Sequence, residues 1–223
     1  MKKKILIVGA NGKMGSAVCE VLKNDYEIVK LNKGDLWGNF SADLIIDFGS
    51  AESSVLSAEL ASKIGVPLII GSTGQSKEQL EKIDRLCAHL PYLVCANFSV
   101  GIVLLKNIID SVLKVKIDQI AIFEKHHAAK KDAPSGTAKE LQRHILKKQK
   151  NSIQMLSLRG GKEIGSHKVS FYFGDELIEL THTAFSRKAF SDGVALAVSF
   201  LFENNRPEKF EFENIVKDKF CIK

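Results

Sequence analysis

The sequence predicts an α/β protein in which a parallel sheet domain is followed by an α+β domain with a mixed sheet. Two observations carry this prediction. From Lys4 to Val94, short apolar runs alternate with stretches whose apolar residues recur at helical spacing, which is typical of a parallel sheet with helices on both faces. After about Asn97 the order changes to longer strand-like runs with fewer helices between them, which indicates a second domain of different class.

The first part of the chain repeats the strand–helix unit. Its first strand is a β-branched run that ends in glycine, and in the helix that follows, Met14, Val18 and Val21 recur every three or four positions. The strands are predicted at 4–8, 27–31, 44–48, 67–70 and 92–94, and the helices at 14–22, 51–64 and 77–89.

The second part is richer in strands. Val169, Phe171 and Phe173 alternate with polar residues, and Gly174 begins a turn into the next strand. Helices are predicted at 101–113, from about 135 to 148 and at 193–202, and strands at 117–124, 154–158, 167–173 and 176–183. We expect this domain to span 99–203, with 1–98 and about 204–223 forming the other. One face of its sheet stays uncovered, so we expect pairing across a subunit interface and a homo-oligomer.

Composition limits the classes of function. The chain has 223 residues, is 45% hydrophobic and carries a net charge of +6 without a long basic tract, so we expect no nucleic acid partner. Such a charge favours small anions over nucleic acid as partners, and on charge alone solvated surface lysines are the preferred explanation. No apolar run approaches the ~18 residues of a membrane span, and the first strand starts at Lys4, so we expect a cytoplasmic protein without a signal peptide. The four cysteines are widely spaced, which predicts neither a disulfide nor a metal site.

A glycine motif lies between the first strand and the first helix. Gly9, Gly12 and Gly15 have the spacing GxxGxxG, at the position where backbone N–H groups and the positive end of a helix bind nucleotide phosphates. The spacing differs from the commoner GxGxxG, so the prediction depends on this position. A tight turn without a ligand is the alternative. We predict a Rossmann-type dinucleotide site, whose contacts from this loop are Gly9, Asn11, Gly12, Lys13, Met14 and Gly15.

The end of the second predicted strand bears on the choice of cofactor. Asn32 is placed to bind the adenosine ribose and Lys33 to accept a 2′-phosphate, whereas the nearest acid, Asp35, lies beyond Gly34. This favours NADPH and leaves NADH open; a solvated loop lysine is the alternative for Lys33.

Loops after later strands are expected at the same carboxyl edge of the sheet, where ligands of open α/β sheets bind. One is Phe48–Ser50. The further predicted cofactor contacts from such loops are Gly71, Ser72, Thr73, Ala96, Asn97, Phe98 and Ser99.

Hydrogen-bond donors are concentrated between Glu124 and Thr137. His126, His127 and Lys130 follow a strand, and a helix begins after Ser135. Lysine ammonium, imidazole, hydroxyls and helix N–H groups suit an anionic substrate, and carboxylates are the simplest candidates. Imidazole titrates near neutral pH and a crowded lysine shifts readily, so either group is a candidate proton donor, and no metal is required. Adjacent histidines on a strand point opposite ways, so structural packing of one is the alternative.

The segment Glu124-x-His126-His127-x-x-Lys130-x-Asp132-Ala133-Pro134-Ser135-Gly136-Thr137-Ala138 resembles the signature of the 4-hydroxy-tetrahydrodipicolinate reductase family, also called dihydrodipicolinate reductases. Further landmarks of that family follow in order along the chain. They are Gly9-x-x-Gly12-x-Met14-Gly15, Asp47-Phe48, Gly71-Ser72-Thr73-Gly74, Asn97-Phe98-Ser99-Val100-Gly101, Arg159-x-Gly161, Gly165-x-His167 and Thr181-His182-x-Ala184-x-Ser186-Arg187-x-x-Phe190-x-x-Gly193.

The resemblance implies a Rossmann domain, a substrate and tetramerisation domain, and NAD(P)H-dependent reduction of a cyclic imine that carries two carboxylates. It implies that His126 and Lys130 are catalytic, with His126 in the place of the family's proton donor; which of the two delivers the proton stays open. The implied substrate contacts are His127, Ser135, Gly136 and Thr137, and Arg187 and Phe190 are implied to lie near the cofactor.

The chain departs from the family pattern after its second strand. Little sequence precedes Leu44, and Asn32-Lys33 stands where an acid followed by arginine is expected. Two other functions were weighed. An amino-acid dehydrogenase of similar plan leaves the segment from His126 to Thr137 unexplained, and a non-catalytic nucleotide sensor has no need of both His126 and Lys130.

Overall fold

The computed structural model describes residues 1–38, 40–150 and 152–222, which form two compact units. One unit is Met1–Phe98 with Phe190–Lys223, and the other is Ser99–Ala189. The domain bounds expected from the sequence, 1–98 with about 204–223 and 99–203, stay a prediction. The last long helix packs within the first unit: the rings of Tyr26 and Phe202 stack with their centroids 5.6 Å apart.

The first unit is a six-stranded parallel sheet with helices. Its strands are β1 (Lys4–Val8), β2 (Glu27–Leu31), β3 (Leu44–Asp47), β4 (Leu68–Ile70), β5 (Tyr92–Val94) and β10 (Lys209–Phe210). Its helices are α1 (Lys13–Leu22), α2 (Ala51–Ile64), α3 (Lys77–Leu86), most of α6 (Lys188–Glu203) and α7 (Phe212–Phe220). Read from β2, the order is 2-1-3-4-5-10, that of an open, doubly wound, Rossmann-like sheet, and the tail of the chain returns to it through β10, as predicted.

Helices cover both faces of this sheet. Leu44, Ile45 and Ile46 point alternately to opposite faces, yet all three are 0% exposed. The strand order reverses between β1, which pairs with β2 on one side, and β3 on the other. Ligands of open α/β sheets bind outside the carboxyl ends of the strands at such a switch point. The fold therefore places the glycine motif where a nucleotide is expected to bind.

The second unit is a four-stranded mixed sheet with two helices. Its elements are α4 (Val100–Val112), β6 (Gln119–His126), α5 (Gly136–Leu146), β7 (Ile153–Arg159), β8 (Gly165–Phe173) and β9 (Glu176–Ala184). The sheet order is β7-β6-β8-β9, with β6 and β7 parallel and the other pairs antiparallel. Ile109 of α4 and Leu141 of α5 pack with Ile122, Val169 and Phe171 on one face. The predicted α+β domain with a mixed sheet is confirmed.

Strand β6 continues two residues beyond its predicted end at Glu124. It does so because β7 pairs with it as far as His126, which lies opposite Arg159. Since side chains alternate along a strand, Glu124 and His126 share the face covered by the helices and Lys125 lies on the other. The extension therefore brings Glu124 and His126 together.

The other face of this sheet carries exposed apolar side chains. Phe123, Leu156, Leu158, Tyr172 and Leu177 are 37%, 57%, 45%, 40% and 48% exposed. The register places all five on the face opposite α4 and α5.

The helices are short on the scale of a bilayer. The longest described helix, α6, has 16 residues, whereas a membrane span takes ~20. In the part of the chain that the structure describes, no helix combines the length and apolarity needed to cross a membrane.

Candidate active site

The glycine motif folds into a tight loop in front of α1. Gly9 has φ +73° and donates its N–H to the Leu31 carbonyl at 2.7 Å, and Gly12 donates to the Gly9 carbonyl at 2.9 Å. A Cβ on Gly15 would lie 2.1 Å from the Gly9 oxygen, so only glycine fits there. Gly12 caps α1 without a side-chain hydrogen bond, which leaves the first N–H groups of the helix to a ligand.

A cavity of about 700 Å³ opens beside this loop, within the first unit. Its size lies in the range of small-molecule and cofactor sites. Its walls contain five residues that the sequence predicted as cofactor contacts, namely Gly9, Asn11, Gly12, Asn32 and Lys33. The wall also contains Phe48, Gly49 and Ser50, from a loop that the sequence predicted at this edge of the sheet. Phe48–Ser50 was expected at this edge of the sheet because it directly follows a predicted strand. The wall residues without a predicted contact are Val8, Gly34, Trp37, Glu52, Ser53 and Leu56.

The end of β2 differs in detail from the expectation. The Asn32 side-chain oxygen accepts the Asn11 N–H at 2.8 Å, so this side chain holds the glycine loop. Asp35, although it follows Gly34, folds back, and its carboxylate accepts the Asn32 N–H at 2.6 Å. An acid therefore does stand at the end of β2, next to the exposed Lys33.

The remaining predicted cofactor residues fall into exposed and buried groups. Lys13 and Thr73 are exposed, and Met14, Asn97, Arg187 and Phe190 are half-buried. Phe98 and Ser99 are 2% and 1% exposed. Phe98 packs edge-on against Phe48 and Phe212, and Ser99 caps α4 by accepting the Ile102 N–H at 3.3 Å. The predicted contact of this segment with a cofactor therefore rests on Ala96, Asn97 and the backbone.

In the second unit, a buried carboxylate organises the predicted catalytic segment. Glu124 is 1% exposed. Its Oε1 accepts from Arg159 Nη2 at 2.6 Å and from Ser135 N at 3.3 Å, and its Oε2 is hydrogen-bonded to His126 Nδ1. Burial acts to raise the pKa of Glu124, but the hydrogen bonds, led by that from Arg159, lower it to about 2. Glu124 is therefore ionised at neutral pH.

This carboxylate fixes the tautomer of His126. An ionised carboxylate only accepts hydrogen bonds, so Nδ1 of His126 carries the proton between them. Burial lowers the pKa of His126, against the attraction of Glu124, so the imidazole is neutral at neutral pH. Its Nε2 lies beside Gly165, where a Cβ would come within 2.8 Å. Glycine at that position leaves room for this nitrogen.

A second histidine supports the start of α5. His167 is 4% exposed, and its Nε2 lies 3.1 Å from Ser135 Oγ. Burial, with a further contribution from His126, lowers the pKa of His167 to about 3. Ser135 caps α5 by accepting the Ala138 N–H at 3.2 Å, while its own N–H is taken by Glu124. Of the predicted carboxylate donors, the Ser135 N–H is therefore already engaged.

Gly136 gives open access to the start of α5. Apart from its chain neighbours and the backbone of its own helix, no atom lies within 4 Å of the place where its Cβ would be, and the first turn of α5 contains no acid. Such a helix start favours an anion.

Lys130 and His127 lie on the loop between β6 and α5. Lys130 Nζ pairs with Asp132 Oδ1 at 2.8 Å, and its side chain is 24% exposed. The hydrogen bond from Lys130 lowers the pKa of Asp132. The loop is held by backbone hydrogen bonds from His127 N to Glu163 O at 2.8 Å and from Lys130 N to His127 O at 3.1 Å. The ammonium group is thus near the surface, whereas His126 is buried.

The ligand atoms of Glu124, His126 and His167 form a set within 4.8 Å of one another, the spacing of a possible metal site among the described residues. The contacts of this set favour a hydrogen-bond network over a cation. The Arg159 guanidinium already pairs with Glu124 at 2.6 Å, and a positive charge so close opposes a second cation.

Sequence reasoning gave no role to Glu124, Arg159, Gly165 or His167. Arg159, Gly165 and His167 come from other strands, opposite β6 in the register. In the sequence, these three residues were noted only as part of the short motifs Arg159-x-Gly161 and Gly165-x-His167.

Comparison with known proteins gives consistent matches. The family model "Dihydrodipicolinate reductase, N-terminus" matches residues 29–98, and "Dihydrodipicolinate reductase, C-terminus" matches residues 101–216. The 4-hydroxy-tetrahydrodipicolinate reductase of Clostridium novyi (strain NT) is 30% identical, over 97% of this chain and 99% of the relative. That of Brachyspira hyodysenteriae is 32% identical, over 89% and 93%.

A solved structure shares the fold. The dipicolinate-bound dihydrodipicolinate reductase from Paenisporosarcina sp. TG-14 aligns with a TM-score of 0.78 at 24% identity, over 96% of this chain and 100% of that one.

Proposed function

This chain belongs to the dihydrodipicolinate reductase family, and on that premise we propose that it reduces 4-hydroxy-tetrahydrodipicolinate to tetrahydrodipicolinate with NAD(P)H, in the pathway to diaminopimelate and lysine. One observation in the chain carries the proposal. The buried Glu124 orients His126 beside a loop that bears Lys130 and leads into the open helix start at Gly136. An acid–base pair next to an anion site suits a substrate with two carboxylates.

The first unit fits a nicotinamide cofactor. When bound, NAD(P)H would supply the hydride, and the hydroxyl group of the substrate leaves as water. The glycine loop leaves no space for a Cβ at Gly15, the helix start at Gly12 has no side-chain cap, and the adjoining cavity of about 700 Å³ has the size of a cofactor pocket. In this proposal the α1 N–H groups bind the pyrophosphate.

The second unit binds and protonates the substrate in this proposal. The start of α5 at Gly136 and Thr137 holds one carboxylate, with His127 as a further contact. Lys130 delivers the proton, because burial lowers the pKa of His126 and leaves that imidazole neutral at neutral pH. His126, whose Nδ1–H is held by Glu124, presents Nε2 to the substrate and orients it. Positioning of this kind lowers the barrier by several kcal/mol.

For the cofactor we propose a preference for NADPH. The exposed Lys33 in the cavity wall is the observation that supports it, since a lysine there neutralises a 2′-phosphate. Asp35, held on the Asn32 N–H, opposes the phosphate and leaves NADH usable. Lys33→Ala is expected to raise the KM for NADPH about tenfold and to leave that for NADH unchanged. Equal effects on the two cofactors would overturn the preference.

We also propose that the protein is a homo-oligomer, a tetramer in keeping with its family. The exposed Phe123, Leu156 and Leu158 on one sheet face support it, because monomers rarely leave such a patch in water. Light scattering of the purified protein tests this, and a monomer would refute it. A cytoplasmic location is supported by the four cysteines, which are thiols.

The decisive assay follows NADPH and NADH oxidation with the freshly generated condensation product of aspartate semialdehyde and pyruvate. Turnover is expected, and its absence would reject the proposed function. Lys130→Ala is expected to lower kcat steeply while cofactor binding stays normal. Lys131→Ala, one residue away and exposed, is the matched control. Loss of cofactor binding in Lys130→Ala would mean that the segment is structural.

A further inference from the structure

A second buried carboxylate lies in the first unit, outside the cluster around Glu124. Asp47 is the last residue of β3 and is 0% exposed, although aspartate is almost never fully buried unless it is paired. The carboxyl end of β3 is at the switch point of the sheet. We propose that Asp47 is a positioning residue, which holds the loops after β3 and β4 in the conformation that binds the nicotinamide half of the cofactor. This inference rests on the proposed function.

The carboxylate of Asp47 receives hydrogen bonds from three segments. Its Oδ1 accepts from Gly49 N at 3.0 Å and from Ser72 Oγ at 2.7 Å. Its Oδ2 accepts from Ser57 Oγ, on α2, at 2.8 Å. These three hydrogen bonds compensate for the burial of the side chain. Asp47 therefore joins the loop after β3, the loop after β4 and helix α2.

The backbone of Asp47 also holds the loop after β4. Its carbonyl accepts from Gly71 N at 2.8 Å and from Ser72 N at 3.2 Å. The Phe48 ring lies so close to Gly71 that a Cβ there would come within 2.2 Å of Cε1. Ser72 is thus bound through both its N–H and its hydroxyl, so the loop has little freedom to shift.

Further hydrogen bonds extend this effect outward. The Ser72 hydroxyl donates to Asp47 Oδ1, and Ser54 Oγ lies 2.6 Å from the oxygen of that hydroxyl. Gln75 Nε2 donates to Ser54 Oγ at 2.8 Å and to the Ser72 carbonyl at 3.1 Å. These contacts between Gln75 and Asp47 order the loop from Gly71 to Gln75.

Asp47 acts through this loop and not by contact. At 0% exposure its carboxylate does not reach a ligand, and the Ser72 side chain, in a residue that is 9% exposed, is turned inward to it. The exposed residues of the loop are Thr73 and Gly74. The surface presented to a cofactor is therefore the outer side of a loop whose inner side is fixed by one carboxylate.

Two serines offer a matched pair for a test. Ser72→Ala and Ser57→Ala each remove one hydroxyl from the same buried carboxylate, and their bonds differ by only 0.1 Å, at 2.7 and 2.8 Å. Ser72 lies on the loop, whereas Ser57 lies on α2. Both variants are expected to lower the melting temperature to a similar extent. Only Ser72→Ala is expected to weaken NADPH binding, about tenfold, measured by nucleotide fluorescence on the purified protein without substrate.

Asp47→Asn completes the test. It is expected to weaken NADPH binding as Ser72→Ala does, and the double variant to bind no more weakly than either single one, because the two changes break the same link. Additive effects would mean that Ser72 contacts the cofactor directly, and this would overturn the inference. If Ser57→Ala and Ser72→Ala weaken NADPH binding equally, the inference is also overturned. If Asp47→Asn does not fold, the comparison of these two serine variants is the test. If the unmodified protein binds neither NADPH nor NADH, the proposed function fails first.

Discussion

Replacing Glu124 by glutamine is expected to remove most of the stability that its charge provides. The carboxylate is 1% exposed and accepts from Arg159 at 2.6 Å. Although burial acts to raise it, hydrogen bonds from Arg159 and its neighbours bring the pKa of Glu124 to about 2, from an ordinary 4.5. A shift of one unit corresponds to ~1.4 kcal/mol, so the ionised group stabilises the fold by about 3 kcal/mol at pH 7.

The sign of the pH dependence follows from the direction of the shift. Because the pKa of Glu124 is lower in the folded protein, its contribution is complete above about pH 4.5 and is lost as the pH falls toward 2. Glu124→Gln has no such titration. The difference in unfolding free energy between the two proteins is therefore expected to be largest at pH 7 and to shrink below pH 4.5, as measured by urea unfolding followed by circular dichroism.

Glu163→Gln is the control for this prediction. Glu163 pairs with Lys125 at 2.7 Å, but the two side chains are 42% and 35% exposed. Exposed pairs contribute up to about 1 kcal/mol, so this variant is expected to lose little. The reasoning about Glu124 is refuted if Glu124→Gln costs no more than Glu163→Gln at pH 7, or if its cost does not shrink in acid.

Three further predictions concern catalysis and cofactor binding. Gly165→Ala would place a Cβ 2.8 Å from His126 Nε2 and is expected to lower kcat about tenfold to a hundredfold in a folded protein. Gly160→Ala, with open space around it, is the control. Equal kcat values for the two variants would contradict the role of His126. Gly15→Ala would bring a Cβ within 2.1 Å of a backbone oxygen and is expected to abolish NADPH binding, which fluorescence titration measures; normal binding would count against the glycine loop as its site. Burial lowers the pKa of His126 below 6.5, so kcat/KM is expected to rise as the pH increases through that pKa, where Nε2 loses its proton and can orient the substrate, and to stay level above it, since Lys130 delivers the proton. A decline through that pKa would assign the proton to His126.

The sequence was sufficient wherever the relevant residues are close together in the chain. The alternation of strands and helices predicted the parallel sheet, because the spacing of apolar residues and the turn residues that end each element are local properties of the sequence. The glycine loop was recognisable because Gly9, Gly12 and Gly15 lie within seven consecutive residues. His126 and Lys130 were predicted as catalytic residues for the same reason, since they lie within five residues of each other, at the end of β6 and in the loop before α5.

The tertiary structure decided what depends on pairing between distant strands. The register of β6 with β7 and β8 brings Arg159 and Gly165 to the two sides of His126, and no local pattern specifies that register. Sequence periodicity also did not reveal that Asp47 is fully buried, because its burial depends on donors from Ser57 and Ser72, on separate segments. The sequence by itself determined the fold class and the candidate chemical groups, whereas the tertiary structure decided which side chains orient them, because orientation comes from hydrogen bonds between segments far apart in the chain.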